Sequence, residues 1–296
     1  MTNFIINKLP LIFITAVLTS LLTACVTQNY HHDKNTPIVE NSSSATEKAM
    51  TRISLALGYL RIGNTQQAKF NLEKAKDFAP NLVPLYIAFA HYYEAVAEPK
   101  LTVEAYEKAL SINAQDPDVL NNYGVFLCRQ GKYLTAEKLL LKAIAIPSYT
   151  LVAQSYENLA LCQLKAKQFD NAQNYLEKAI NHSPHQASSL LHMVRLQYAK
   201  GNYKLAQNYL HRYELSSREY TAQALALAFK VYEKQESKHL AKKYGTMLVN
   251  MFPKSFEADQ YILNELYQIE ADQLATAYQM FMQNKLTKMK SKKDKT

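Results

Sequence analysis

The chain has 296 residues, of which 48% are apolar and 20% charged, with a net charge of +9; that is enough apolar material for a packed core, and wholesale disorder is excluded. Only six residues are glycine, about 2% against a usual ~7%, and neither G-x-G-x-x-G nor G-x-x-x-x-G-K-[ST] occurs, which removes support for nucleotide binding through such loops. Six lysines against one aspartate lie between Lys285 and Thr296, so most of the positive charge is a C-terminal tail rather than the face of a nucleic-acid-binding domain.

Residues 1–24 read as a signal peptide. Lys8 closes a short basic start, and Leu9 to Leu22 is an apolar run broken by Thr15, Thr19 and Ser20, short of the ~20 residues that span a bilayer. It ends in Leu22-Thr23-Ala24-Cys25, which resembles the bacterial lipobox. The resemblance implies that Cys25 is acylated and becomes the mature N-terminus. Val26, where an Asp would signal retention, implies delivery to the outer membrane, facing the periplasm. Residues 25–48 are mainly Gln, Asn, His, Ser and Thr without an apolar period, and read as a flexible tether. His31 and His32 belong to that tether rather than to a metal site.

The body repeats. Small residues at Ala68, Thr102, Ala136, Ala172, Ala206 and Ala241 follow one another at spacings of 34, 34, 36, 34 and 35. Around the first lie Leu55, Tyr59, Gly63, Leu72, Ala75 and Pro80 in the tetratricopeptide (TPR) pattern, and the later units echo it with decreasing strength. Small residues let two antiparallel helices approach to ~8–10 Å, large ones fill the space around them, and Pro80, Pro184 and Pro253 end second helices. The fold expected is therefore all-α: a right-handed TPR superhelix of six helix-turn-helix repeats at 49–82, 83–116, 117–152, 153–186, 187–221 and 222–255. Two extra residues near Pro147-Ser148-Tyr149-Thr150 place a longer turn between units three and four. Residues 256–285, with Tyr261, Leu266, Leu274 and Tyr278, read as capping helices, and 286–296 as a disordered basic tail.

No motif for catalysis, cofactor or metal binding occurs: there is no G-x-S-x-G, H-E-x-x-H or paired C-x-x-C. His182 and His185 straddle Pro184 at a repeat boundary and read as a polar turn. The expectation is a protein that is not an enzyme and has no small-molecule substrate, with a peptide-receptive groove as its working surface. The TPR positions that line such a groove give Ile53, Leu57 and Leu60 as an apolar strip in unit one. In mid-groove they give Asn121, Asn122, Val125 and Arg129 from unit three and Glu157, Leu161 and Lys165 from unit four. Tyr198 comes from unit five. Cys128 and Cys162, on first helices of neighbouring units, are a candidate disulfide; two buried thiols are the alternative.

Beyond the generic pattern stand Asn121-Asn122-Tyr123-Gly124, Phe126-Leu127-Cys128 with Gly131, Pro147-Ser148-Tyr149, Glu157-Asn158 with Cys162, Tyr209-Leu210 before Arg212-Tyr213, and Phe252-Pro253-Lys254-Ser255. In these, and in its lipobox and six repeats, the chain resembles the outer-membrane TPR lipoproteins of type IV pilus biogenesis, the PilF/PilW family. It departs from them at Leu161, where Gly is common, and in its basic tail. The resemblance implies a pilotin, a lipid-anchored adaptor that brings the pilus secretin to the outer membrane and promotes its multimerisation. The alternative is a TPR lipoprotein scaffold for another envelope machine, in peptidoglycan remodelling or outer-membrane protein assembly.

Overall fold

The computed structural model describes residues 44–217, 219–263 and 270–293; the leader, Cys25 and the tether before Ser44 lie outside the described residues. The chain divides into two units, Met1–Lys48 and Ala49–Thr296. The described residues form fourteen helices and no strand. Six antiparallel pairs come first: α1 (Ala45–Arg61) with α2 (Thr65–Phe78), α3 (Val83–Ala95) with α4 (Pro99–Ile112), and α5 (Pro117–Arg129) with α6 (Tyr133–Ile144). Then follow α7 (Val152–Lys165) with α8 (Phe169–His182), α9 (Ala187–Ala199) with α10 (Tyr203–Ser216), and α11 (Ala222–Lys234) with α12 (Lys238–Met251). The pairs stack as an all-α TPR solenoid, followed by α13 (Phe256–Ile262) and α14 (Glu270–Lys293).

The small repeat positions sit where the two helices of a unit meet. Ala68, Ala136, Ala172 and Ala206 are fully buried, as are Ala56, Ala75, Ala90, Ala109, Ala143, Ala160 and Ala179. Gly124 shows how close the approach is: a Cβ there would lie 2.8 Å from the Leu140 side chain and 3.2 Å from the Ala136 carbonyl oxygen. Thr102, the one polar residue of the series, is fully buried and donates its hydroxyl to the Glu98 carbonyl at 2.9 Å, so no polar group is stranded.

The turn inside each pair repeats as strictly as the crossings. Gly63, Gly131 and Gly201 have φ of 76°, 76° and 79°, and Ala97, Lys167 and Glu236 have φ of 57°, 59° and 59°. Each stands at the same place in its own unit. The backbone closes in the same way: Lys132 N–H reaches the Leu127 carbonyl at 2.9 Å and Gln168 N–H the Gln163 carbonyl at 2.8 Å, the six-to-one bond of a left-handed helix end. Three units thus hold a side chain where glycine is favoured, at a cost of about 1 kcal/mol each.

Between α6 and α7 the longer turn is filled by Tyr149, which packs with Leu120 and Ala143 as a small separate cluster. The start and the end of the array depart from the sequence reading. The first helix begins at Ala45, inside the stretch read as tether, because Ser44 and Glu47 form a capping box: Ser44 N–H donates to Glu47 Oε2 at 2.7 Å and Glu47 N–H to Ser44 Oγ at 3.1 Å. At the other end, among the described residues, α13 caps the stack. It packs on α11 and α12, with the Tyr261 ring lying where a Cβ on Gly245 would be, 2.2 Å away. By contrast, α14 packs against α9, and it continues to Lys293 through most of the segment read as a disordered tail.

Two stability predictions follow from this geometry. Lys167→Gly is expected to stabilise the protein by about 0.5–1 kcal/mol and Gly131→Ala to destabilise it by about 1 kcal/mol, read by urea unfolding. Lys230 is 2% exposed, and burial pushes its pKa down to about 8 from 10.5. The unfolded chain then binds more protons between those values, so stability should rise as pH climbs through that window. Lys230→Met should abolish this rise and lift Tm at neutral pH by about 2–4 °C.

Candidate partner-binding surface

The first helices of the units carry the residues read as groove, and the structure sorts them into three groups. Ile53, Asn121 and Tyr198 are 3%, 7% and 4% exposed, and so are corrected from partner contacts to core. Ile53 faces the cluster that contains Leu72 and Leu85. The ring of Tyr198 packs at 5.6 Å from that of Tyr203. Leu57, Leu60, Asn122, Val125, Glu157 and Leu161 are half-buried, and Arg129 and Lys165 are exposed; all of these but Glu157, whose carboxylate is taken up by α9, remain available to a partner. Cys25 lies outside the described residues.

Asn121 is held inside by α7, the helix after the longer turn. Its Oδ1 accepts from the Ser155 hydroxyl at 2.7 Å and from the Asn158 amide at 3.1 Å. Ser155, its proton spent on Asn121, accepts from the Tyr149 hydroxyl at 2.9 Å. A buried amide and a buried phenol are satisfied together, and units three and four are fixed in register.

Two carboxylates organise the charge on this face. Glu94 on α3 receives Arg129 from α5 in a salt bridge and accepts from the Tyr106 hydroxyl at 3.2 Å. Burial, then the Glu94 charge, pushes the Tyr106 phenol far above its ordinary range. His91 Nδ1 lies 4.0 Å from Glu94; its pKa is lowered by burial, against the pull of Glu94. Glu157 on α7 gathers donors from the start of α9: Gln186, Ser188 and Ser189 all reach Oε2, and His192 Nε2 stands 3.7 Å from Oε1. Beside it opens a cleft of about 740 Å³ between the 149–154 turn and the 182–188 turn. Among the described residues no three His, Cys, Asp or Glu side chains come together as a metal site. The chemistry on offer is recognition, through amide, hydroxyl and charged groups beside apolar side chains.

Cys128 on α5 and Cys162 on α7 are joined as a disulfide, with Cα atoms 5.7 Å apart, inside the range that such a bond needs. The two first helices meet here although the cysteines stand at different unit positions. The sequence reading places His91 and Glu94 at groove positions of unit two, but it missed the contact of Glu94 with Arg129, which joins two repeats. It also missed Asp170, Phe169 and Lys200, which meet α14; a helix returning two units back leaves no local trace.

Known proteins share this architecture. Residues 115–184 and 163–228 match the tetratricopeptide repeat family. The chain is 34% identical over 254 residues to the type IV pilus assembly protein PilF of Pseudomonas aeruginosa, a match spanning 86% of this chain and 97% of that protein. It is 35% identical over 158 residues to an uncharacterized protein of Haemophilus influenzae, 53% of this chain and 83% of that one. The solved structure of Pseudomonas aeruginosa PilF aligns with a TM-score of 0.63 at 33% identity, covering 74% of this chain and 99% of that one. The crystal structure of PilW, a widely conserved type IV pilus biogenesis factor, aligns with a TM-score of 0.65 at 25% identity, covering 72% of this chain and 98% of that one.

Serine at both Cys128 and Cys162 is expected to lower stability by about 3–4 kcal/mol, the loop-closure value for a separation of 34 residues. Equilibrium unfolding with and without dithiothreitol checks this. Reductant should bring the parent down to the double variant and leave the variant unchanged.

Proposed function

The chain belongs to the family of the type IV pilus assembly protein PilF, and from that premise we propose that it is the pilotin of its pilus machine. In this reading it is an outer-membrane lipoprotein, facing the periplasm, that binds the pilus secretin and promotes its localisation and multimerisation. The observation that carries the reading is the span of the match, 97% of PilF at 34% identity, with a solenoid that aligns over 99% of the solved PilF chain.

The sequence and the geometry support each part. Leu22-Thr23-Ala24-Cys25 supplies the acylation site, and each buried acyl CH₂ adds ~0.8 kcal/mol, so a multiply acylated Cys25 holds the chain at the membrane. Among the described residues no helix is long and apolar enough to cross a membrane. The half-buried Leu57 and Leu60 on α1 offer an apolar strip. The amide of Asn122 and the charges of Arg129 and Lys165 offer backbone and side-chain partners to a client segment.

Deletion of the gene is expected to abolish heat-stable secretin multimers on unboiled gels of membrane extracts. Cys25→Ala should leave multimers that fractionate away from the outer membrane. Leu57→Glu with Leu60→Glu should reduce multimers at unchanged protein level. Normal multimers at the outer membrane in the deletion strain would overturn the reading and assign the protein to a different envelope machine.

A further inference from the structure

In unit five the inner helix carries a neighbour from outside its repeat. From Ser189 to Ala199 no residue of α9 is exposed, and the exposed residues of α5 and α7 likewise lie only near their ends, at Asp118 and Arg129 and at Gln154 and Lys165. What distinguishes α9 is the element packed on it. Helices α8, α10 and α11 pack on α9 as the repeat requires, and α14 packs on it as well. The capping role does not explain this, because α13 already closes the stack on unit six.

The contact is specific. Tyr278 and Phe281 meet Phe169 edge-on, with centroids 5.2 and 5.4 Å apart and planes at 87° and 63°. The Lys200 ammonium stands 5.7 Å from the centre of the Tyr278 ring. Asp170 faces Lys200 at 3.6 Å and Lys285 of α14 at 3.7 Å. On α14 the docked stripe is Leu274, Ala277, Tyr278 and Phe281, the i, i+3, i+4, i+7 spacing of a helix laid in a groove. All four are only half-buried, while Leu286 and Met289 beyond them are exposed. The helix therefore rests on the array without entering its core.

We propose that the surface built by α9, Phe169, Asp170 and Lys200 is a helix-accepting site, filled in cis by α14 and opened when a partner's helix replaces it. The partner segment is an amphipathic helix with aromatic residues three apart and a cation four residues further on, matching Tyr278, Phe281 and Lys285. That chemistry is taken from the resident helix. Only the source of the segment, the secretin, rests on the function proposed above.

The test uses the full chain and a fluorescein-labelled synthetic peptide of residues 273–290. The parent should bind the peptide weakly, because the site is occupied. Tyr278→Ser with Phe281→Ser should bind it about tenfold or more tighter, since a resident helix reduces apparent affinity by the fraction of time the site is filled. A peptide carrying both serines should bind neither. A folded double variant that takes up no peptide would overturn the proposal. Hydrogen exchange on the parent gives a reading that needs no variant: α14 amides should exchange by local opening, faster than those of α9 to α12. Exchange of α14 only on global unfolding would show a fixed element and overturn the proposal. Added secretin should expose α14 and protect α9. Secretin that binds while α14 stays protected would overturn displacement and leave the pilotin reading intact; secretin that does not bind would overturn the pilotin reading, with the peptide result standing.

Discussion

Two helices can lie with axes ~8–10 Å apart only where the side chain at their crossing is small, and everything in this solenoid is arranged around meeting that condition six times. Alanine meets it most often. Glycine at 124 meets it with no room to spare, and threonine at 102 meets it by turning its hydroxyl back on its own helix. Once each pair is closed, its large residues have one face left to bury, and that face is completed only by the next pair. The array is thus stable as a stack and not as isolated units.

The departures from strict repetition are where the protein acquires its own character. The longer turn after unit three would leave a gap between stacked pairs. Tyr149 fills it, and its hydroxyl begins a chain of hydrogen bonds through Ser155 to Asn121 and Asn158. Glu157, two residues along α7 from Ser155, does the same for the next junction by collecting donors from the start of α9. Polar residues that look in isolation like an invitation to a peptide backbone are here the bolts between repeats. The surfaces proposed for a partner are the apolar strip of unit one, the exposed charges of Arg129 and Lys165, and the surface beneath α14.

The sequence made the repeats legible because helix crossings impose small residues at a fixed period, and composition cannot hide that. It showed the small residues of the helix crossings, and it left Cys128 and Cys162 open between a disulfide and two buried thiols. It misjudged Ile53, Asn121 and Tyr198, since a position that lines the groove in an average repeat is pulled inside by particular neighbours: the cluster of Leu72 and Leu85 for Ile53, Ser155 and Asn158 for Asn121, and Tyr203 for Tyr198. It could not show that Ala97, Lys167 and Glu236 share the backbone of Gly63, because the left-handed turn is imposed by the helices on either side. The path of α14 was illegible for a different reason. Amphipathic spacing says that a helix has a face to bury, and says nothing about which distant surface receives it.

The bond between Cys128 and Cys162 has a mechanical consequence. A solenoid drawn out from its two ends lengthens by peeling repeats, and each residue released adds ~3.3–3.6 Å of contour. Tension arriving at unit three passes through sulfur from α5 to α7, and the 34-residue stretch between the cysteines is shielded from load. About 110–120 Å of slack is thereby withheld. The middle of the array acts as a rigid link, with a compliant spring on either side of it. The bond thus divides the molecule into a part that holds its length and two parts that yield.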